Sequence, residues 1–369
     1  MDKSLVKFSS VKFDRIDKEA TLPAKFRRML QTLPLKEMVR GRTVALKMHL
    51  GGGLGYTTIH PLFVKILVDA LKKAGGKVFI TDLYHLSNDN FGIRGARNRG
   101  YSSDILNVPF LPVAGHADKY FYTKKVNFKT LKEVQIAGNI HDAEVLIDFS
   151  HVKGHGTCGY GGALKNIAMG CVTQKTRLDL HALEGGIEWN EDLCNHCEKC
   201  INECRYKANK FNDKGKYKLF FHNCTYCQHC VEICPTNALT FLSRGFVDFQ
   251  KGMSLAAKEV LNTFDKDKKF FINVLLNITM LCDCWELSTP SLVPDIGIMA
   301  SNDIVAIDKA SLDVIKFENL LPDSLPIGRE LREGKHLFEK IFGKDPFTQI
   351  KILEELGIGN SDYEFEEID

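Results

Sequence analysis

Eight of the twelve cysteines fall into two short runs that share one spacing. Residues 194–204 read C-N-H-C-E-K-C-I-N-E-C and, after nineteen intervening residues, 224–235 read C-T-Y-C-Q-H-C-V-E-I-C-P. Each run is C-x2-C-x2-C-x3-C. A [4Fe-4S] cubane needs four thiolates from chain that wraps it. The x2 spacings turn three sulfurs toward one cubane, and the cysteine after x3 reaches the neighbouring one. The spacing therefore assigns Cys194, Cys197, Cys200 and Cys234 to one cluster, and Cys224, Cys227, Cys230 and Cys204 to another. Structural zinc is the competing reading, because C-x2-C pairs also build ribbons and knuckles. Zinc takes two well-separated pairs, whereas four cysteines here crowd into eleven residues, twice over. Two [4Fe-4S] clusters are thus the expected cofactors. The first run ends in Cys204-Arg205 where the second ends in Cys234-Pro235, which leaves one extra backbone N–H beside the first site. His196, His222 and His229 lie among these ligands, but eight thiolates suffice without them.

A second set of reactive side chains lies outside the two runs. His151, Lys153 and His155 stand at i, i+2 and i+4, which puts three cationic or metal-capable side chains on one side of an extended segment. The glycines around them let a ligand approach the backbone. Lys165 and Asn166 follow one step into the next helix. Lys47 and His49 close an apolar run and lead into the loop 51–55, G-G-G-L-G. That loop is neither a dinucleotide fingerprint nor a Walker loop. Anion binding at the next helix N-terminus and a plain tight turn both remain open for it. Cys282, Asp283 and Cys284 read as two thiols on one side of an extended chain with a carboxylate opposite. A metal half-site, a redox-active pair and two buried small side chains are the alternatives there. Cys158 and Cys171 read as core or loop thiols.

These residues need a scaffold, and an alternating pattern supplies one. Residues 43–49 form a buried strand and 61–74 a helix, with Pro61 at its start and apolar residues at helical spacing. Gly75-Gly76 stops that helix and 77–81 is the next strand, so the unit is a right-handed parallel crossover. Residues 144–149 and 270–280 are further strands, each running into one of the polar loops. Residues 5–13, 134–137 and 295–299 are additional strand candidates; 22–33, 163–169, 254–264, 336–342 and 346–356 read as helices. Ser301-Asn302-Asp303 caps a helix over 304–315. Residues 87–130 show no clear pattern, and the acidic tail reads as frayed.

The expected fold class is α/β, a mainly parallel sheet with helices on both faces, interrupted by a small ferredoxin-like 2[4Fe-4S] domain. The host would comprise residues 1–186 and 244–369, with the insertion at 187–243. No low-complexity linker marks the junctions, so the insertion should pack on its host. Ligands of such sheets bind beyond the carboxyl ends of the strands. If the sheet is parallel, the three polar loops converge, and Lys47, His49, His151, Lys153, His155, Lys165, Asn166, Cys282, Asp283 and Cys284 form one candidate catalytic set.

Composition sets the outer bounds. With 369 residues the chain is too long for a small electron carrier alone. Lys plus Arg total 49 against 46 for Asp plus Glu, a net charge of +3, so no general nucleic-acid footprint is indicated. Cluster-forming thiols point to a reducing compartment, and no run reaches membrane-spanning length. The expectation is a cytoplasmic protein of an anaerobe, with no membrane and no nucleic-acid partner.

With these residues in hand, the chain resembles the family of uncharacterised function called DUF362, in the version that carries a bacterial-type double-cluster ferredoxin insertion. The resemblance rests on the strand with Lys47, on Lys153-Gly154-His155, and on Gly162-Ala163-Leu164-Lys165-Asn166. It also rests on Cys282-Asp283-Cys284 and on Ser301-Asn302-Asp303-Ile304-Val305-Ala306-Ile307-Asp308. The family usually has Pro after that first Asp, where this chain has Ile304. The resemblance implies iron–sulfur binding and an α/β host, and no substrate. A remoter similarity is to the lactate racemase type of protein, with no motif specific enough to transfer residues. Three functions compete. The leading one is an iron–sulfur oxidoreductase or reductase subunit, served by a redox protein donor or acceptor and acting on a small anionic substrate. The second is a ferredoxin-type carrier whose host only docks partners. The third is a non-redox enzyme or metal-handling protein with structural clusters.

Overall fold

A computed structural model describes residues 3–52, 55–83, 93–204, 207–220, 223–224, 229–244, 246–285, 288–327 and 329–369. Cys227, His222, Arg205 and the Gly53-Leu54 part of the glycine loop lie outside the described residues.

In chain order the strands are β1 (Ser4–Ser10), β2 (Thr43–Met48), β3 (Lys77–Asp82), β4 (Phe110–Pro112), β5 (Phe121–Phe128), β6 (Leu131–Ala137), β7 (Val145–His151), β8 (Lys153–His155) and β9 (Gly159–Gly161). There follow β10 (Gly185–Trp189), β11 (Asn209–Phe211), β12 (Tyr217–Leu219), β13 (Leu239–Arg244), β14 (Lys269–Leu275), β15 (Gly297–Ser301) and β16 (Tyr363–Glu367). Eight of them make the main sheet, in the order β16-β1-β15-β14-β7-β2-β3-β4. The run from β14 through β7, β2 and β3 to β4 is parallel throughout, while β15 is antiparallel to both its neighbours. The sheet is therefore mainly parallel.

Alternation within each strand feeds two cores. Val44, Leu46 and Met48 of β2 and Val145, Ile147 and Phe149 of β7 join one apolar cluster with Phe26, Phe63 and Leu67 from the helices Leu22–Gln31 and Pro61–Lys73. Ala45 and Leu146 point the other way, into a larger cluster with the helices Ala163–Gly170, Phe246–Leu261 and Ile304–Val314. On that second face β2 and β7 carry Lys47 and Asp148, directly opposite one another. Two buried ionisable groups stand where the alternation calls for apolar residues, and the candidate site is built over them.

Several boundaries differ from the sequence expectation. The strand read at 270–280 ends at Leu275, because Asn277 takes a left-handed backbone (φ 49°) and turns the chain. The helix read at 254–264 begins earlier, at Phe246. The strand read at 134–137 is part of β6, whereas its hairpin partner β5 lacks a signal because it is largely exposed and carries little apolar alternation. The acidic tail is not frayed: β16 pairs in parallel with β1, and Lys7 Nζ meets Glu366 Oε1 at 2.7 Å. Between β10 and β13, which pair antiparallel, lies the cysteine-rich segment with the β11–β12 hairpin and two one-turn helices, Lys199–Asn202 and His229–Glu232. No described helix is long and apolar enough to cross a membrane.

Candidate functional site

The polar loops after β2, β7 and β14 do meet. A cavity of about 320 Å³ is lined by Lys47, His49, Lys153, His155, Lys165, Asn166 and Cys284 from those loops, together with Asp82, Arg177 and His181. Its floor is the buried pair on the sheet. Lys47 Nζ donates to Asn166 Oδ1 at 2.6 Å and lies 3.0 Å from Asp82 Oδ1. Asn166 Nδ2 in turn donates to Asp148 Oδ1 at 2.8 Å. Gly170 leaves room for this: a Cβ there would stand 2.3 Å from Lys47 Cε. Burial alone would raise the Asp82 carboxyl, but the charges of Lys47 and His49 outweigh it and hold Asp82 well below the usual carboxylate range. Asp148 has the opposite fate. Burial dominates, despite bonds from Ser150 and Asn166, and pushes its carboxyl up to about 8.

The helix Ala163–Gly170 that carries Lys165 and Asn166 has no side-chain cap of its own. Its cap comes from Asp308 on another helix, which accepts from Ala163 N and Leu164 N, both at 2.9 Å. Tyr160 Oη and Asn273 Nδ2 also donate to Asp308 Oδ1, at 2.9 Å each. Gly162 is required at this junction, since a Cβ would lie 2.6 Å from Asp308 Oδ1 and closer still to the Tyr160 hydroxyl. Asp303 caps its own helix by accepting from Val305 N and Ala306 N. The two acids of the 301–308 motif thus fix two different helix N-termini.

The three residues His151, Lys153 and His155 do not share one environment. Lys153 and His155 line the cavity, whereas His151 does not. The chain leaves β7 at His151 and starts β8 at Lys153, so the expected common side is broken. His151 Nδ1 lies 2.9 Å from Asp283 Oδ2, and Nε2 lies 2.9 Å from Leu276 O. Both ring nitrogens thus face oxygen atoms. Lys153 Nζ donates to His151 O at 2.7 Å and sits 3.2 Å from Asp283 Oδ2. Burial would raise Asp283, yet His151 and Lys153 overcome it and keep the carboxylate ionised.

The Cys282–Cys284 segment is not extended. Asp283–Trp285 forms a 3-10 turn, which aims the carboxylate at His151 and Lys153. Lys165 Nζ donates to Cys282 Sγ at 3.0 Å. A hydrogen bond from Cys284, with help from Lys165, holds the Cys282 thiol well below its ordinary value, while the same bond holds Cys284 above. The Lys165 ammonium beside it makes Cys282 the more readily ionised of the two, and Cys284 lines the cavity. Cys158 and Cys171 are buried, and burial pushes Cys158 up to about 12 and Cys171 higher still, as inert core thiols require.

Sequence reasoning missed Asp82, Arg177, His181 and Glu184. His155 and His181 sandwich Phe249, with ring centroids 6.4 and 5.7 Å away, and His181 Nδ1 meets Glu184 Oε1 at 2.7 Å. Arg177 Nε and His49 Nε2 are buried and find no partner among the described residues. The charge that ends β3 in Asp82 was the available signal; nothing in the pattern pointed to Arg177.

In the cysteine-rich segment, Cys194, Cys197, Cys200 and Cys234 line one cavity, backed by Trp189, Phe211 and Tyr217. Cys204 packs against Cys224 and Ala208 on another side. Ala208 N donates to Cys204 Sγ at 3.2 Å. Burial would raise Cys234, but hydrogen bonds led by the Thr236 backbone bring its thiol below the ordinary value. Lys344 joins the two regions: its buried Nζ donates to Cys224 O at 2.9 Å and also to Gly156 O, in the loop that carries His155.

Comparisons with known proteins bear on both regions. Short stretches match the 4-hydroxyphenylacetate decarboxylase activating enzyme of Clostridium scatologenes (41% identical over 54 residues, 13% of this chain and 17% of that protein). Others match the archaeal-type glutamate synthase [NADPH] of Dehalococcoides mccartyi (40% over 50 residues, 13% and 10%) and a ferredoxin of Pyrobaculum islandicum (31% over 51 residues, 14% and 48%). The chain thus spans less than half the length of each of these curated relatives. Among solved structures, the lactate racemase apoprotein from Thermoanaerobacterium thermosaccharolyticum aligns at 14% identity and a TM-score of 0.34, covering 74% of this chain and 51% of that one. A protein from Thermotoga maritima aligns at 10% and 0.39, covering 70% and 52%. At such scores neither alignment bears on function. A family model described as a domain of unknown function, DUF362, matches residues 44–313, which include the cavity-lining residues and both cysteine runs, and the chain belongs to that family.

Proposed function

We propose that this protein is an iron–sulfur oxidoreductase or reductase subunit that delivers electrons to a small anionic substrate in the α/β cavity. The observation that carries the reading is the cavity walled by Cys194, Cys197, Cys200 and Cys234, the grouping expected of interleaved ligands. Among the described residues no three His, Cys, Asp or Glu side chains sit close enough to chelate a single ion. A cubane spreads its thiolates over separate irons, which suits four cysteines distributed around one cavity. Backbone N–H groups aimed at Cys204 and Cys234 are the hydrogen bonds that tune such a site. Cys204, Cys224, Cys227 and Cys230 would hold the second cluster, with Cys227 outside the described residues. The matched stretch of a ferredoxin agrees with iron–sulfur binding. When bound, the clusters supply single electrons.

On the host side, Lys153 and Arg177 would bind an anionic group, and Arg177 Nε and His49 Nε2 are the atoms with hydrogen-bonding capacity to spare. His155, pinned against Phe249, would hold or pass a proton. The charge-lined cavity favours an enzyme over a carrier that only docks partners. Anaerobic purification followed by iron, sulfide and metal analysis tests the cluster half; zinc, or far fewer than about eight irons, sinks it. The catalytic half is tested by electron transfer to candidate acceptors. Lys153→Ala, His155→Ala and Arg177→Ala should each slow transfer at least about tenfold, and unchanged rates in all of them would move the site elsewhere.

A further inference from the structure

The two thiols at the cavity rim have an arrangement that relay of single electrons does not by itself require. We propose that Cys282 and Cys284 form a reversible dithiol–disulfide couple that collects two electrons before they leave for an acceptor in the cavity. The inference rests on the electron-relay reading for its electron source, but the couple itself is a property of this chain.

The turn makes the bridge possible. In an extended segment, residues i and i+2 lie nearly 7 Å apart, at the edge of what a disulfide spans. The 3-10 turn over Asp283–Trp285 shortens the rise to about 2 Å per residue and brings the flanking Cα atoms to about 5 Å, inside the range that disulfides use. The two thiols lie within hydrogen-bonding reach of one another across the turn. Lys165 Nζ, 3.0 Å from Cys282 Sγ, supplies the positive charge that a thiolate needs. Cys282 is buried, 1% exposed, and Cys284 is the sulfur that lines the cavity. One thiol thus faces incoming substrate and the other stands behind it to resolve.

The step balances. Reduction of the disulfide takes two electrons, which the clusters would supply one at a time when bound, and one proton from the cavity. The S–S bond breaks, leaving the Cys282 thiolate beside Lys165 and the Cys284 thiol. Running in the opposite sense, the S–S bond re-forms as two electrons and the Cys284 proton pass to a two-electron acceptor. Asp283 stays out of this exchange, held between His151 and Lys153.

The test uses the full chain, purified without oxygen and equilibrated in dithiothreitol buffers of graded oxidation. Thiols are then trapped with a maleimide, and the peptide holding both cysteines is weighed. The expected result is a single transition in which both labels appear together, following a two-electron dependence in which a tenfold change in the buffer ratio changes the dithiol-to-disulfide ratio tenfold. Cys282→Ser should leave Cys284 labelled at every buffer ratio. Lys165→Met should slow disulfide formation about tenfold near neutral pH, as a loss of about one unit of thiolate stabilisation implies. Should either variant fail to fold, the labelling of the unaltered chain decides. Independent labelling of the two cysteines at all ratios overturns the proposal, as does a bound metal that disappears with Cys282→Ser. A couple that titrates in a chain found to hold no iron would leave this inference standing and fell the relay.

Discussion

The cavity and the cysteine-rich segment solve the problem of holding reactive groups in opposite ways. Around the cavity three lysines are matched by groups from distant parts of the chain: Lys47 by Asp82, Lys153 by Asp283, Lys165 by the Cys282 sulfur. The sheet and the Asp308 cap fix these groups before any ligand arrives, which is the pre-organisation that catalysis needs. The cysteine-rich segment draws its ligands from nearby chain, and small apolar clusters around Ala208 and around Tyr217 and Leu239 support it. Such a segment has little of its own to fold around, so binding and folding should be coupled there.

The sharpest way to break that contrast is to remove one ligand. Cys194→Ser or Cys224→Ser should each forfeit about half of the bound iron and open residues 190–238 to protease, while the host keeps its unfolding midpoint. Simultaneous collapse of the host would show that the two regions are one folding unit. Next in size is Lys47→Met, which leaves Asp82 with His49 and the Leu50 N–H alone and Asn166 Oδ1 without its donor; loss of one partner from a buried pair costs about 3–5 kcal/mol, read from denaturant unfolding. Cluster absorbance should be unchanged.

An effect read along the pH axis comes from Asp148. Its folded-state carboxyl is raised to about 8, so the unfolded chain loses this proton at lower pH than the native one. Stability from this group is complete below the ordinary carboxylate range and is lost as pH rises toward about 8, at up to about 1.4 kcal/mol per unit. Asp148→Asn should flatten that slope in pH-dependent unfolding curves; an unaltered slope would show that the group is ionised in the fold. The smallest is Asp303→Ala, which deletes a helix cap and bonds from Ser4 Oγ and Asn360 N. It should lower stability by about 1–2 kcal/mol and leave iron content and electron transfer intact.

The same contrast explains what could be read without coordinates. The cysteine grouping was legible because x2 and x3 spacings act over a few residues. Lys47, His49, Lys153, His155 and Lys165 were legible as strand-end residues once a parallel sheet was inferred. Asp82, Arg177 and His181 were not, since only the three-dimensional packing of strand ends against the helix Gln174–His181 brings them to the cavity. His151 was misplaced because its partner, Asp283, lies 132 residues away and nothing local shows the turn that delivers it. The tail was misread for its charge: Tyr363 and Phe365 alternate with glutamates, and that period of two is what β16 uses.

Lys344 gives the contrast a joint. A single ammonium group clasps the backbone of a sulfur-bearing loop on one side and the glycine hinge before Thr157 on the other. Neither loop can shift without dragging on that clasp, so cargo settling among the histidines should be felt at Cys224. A chromophore there would then serve as a built-in gauge, its colour or magnetism answering to what sits next door.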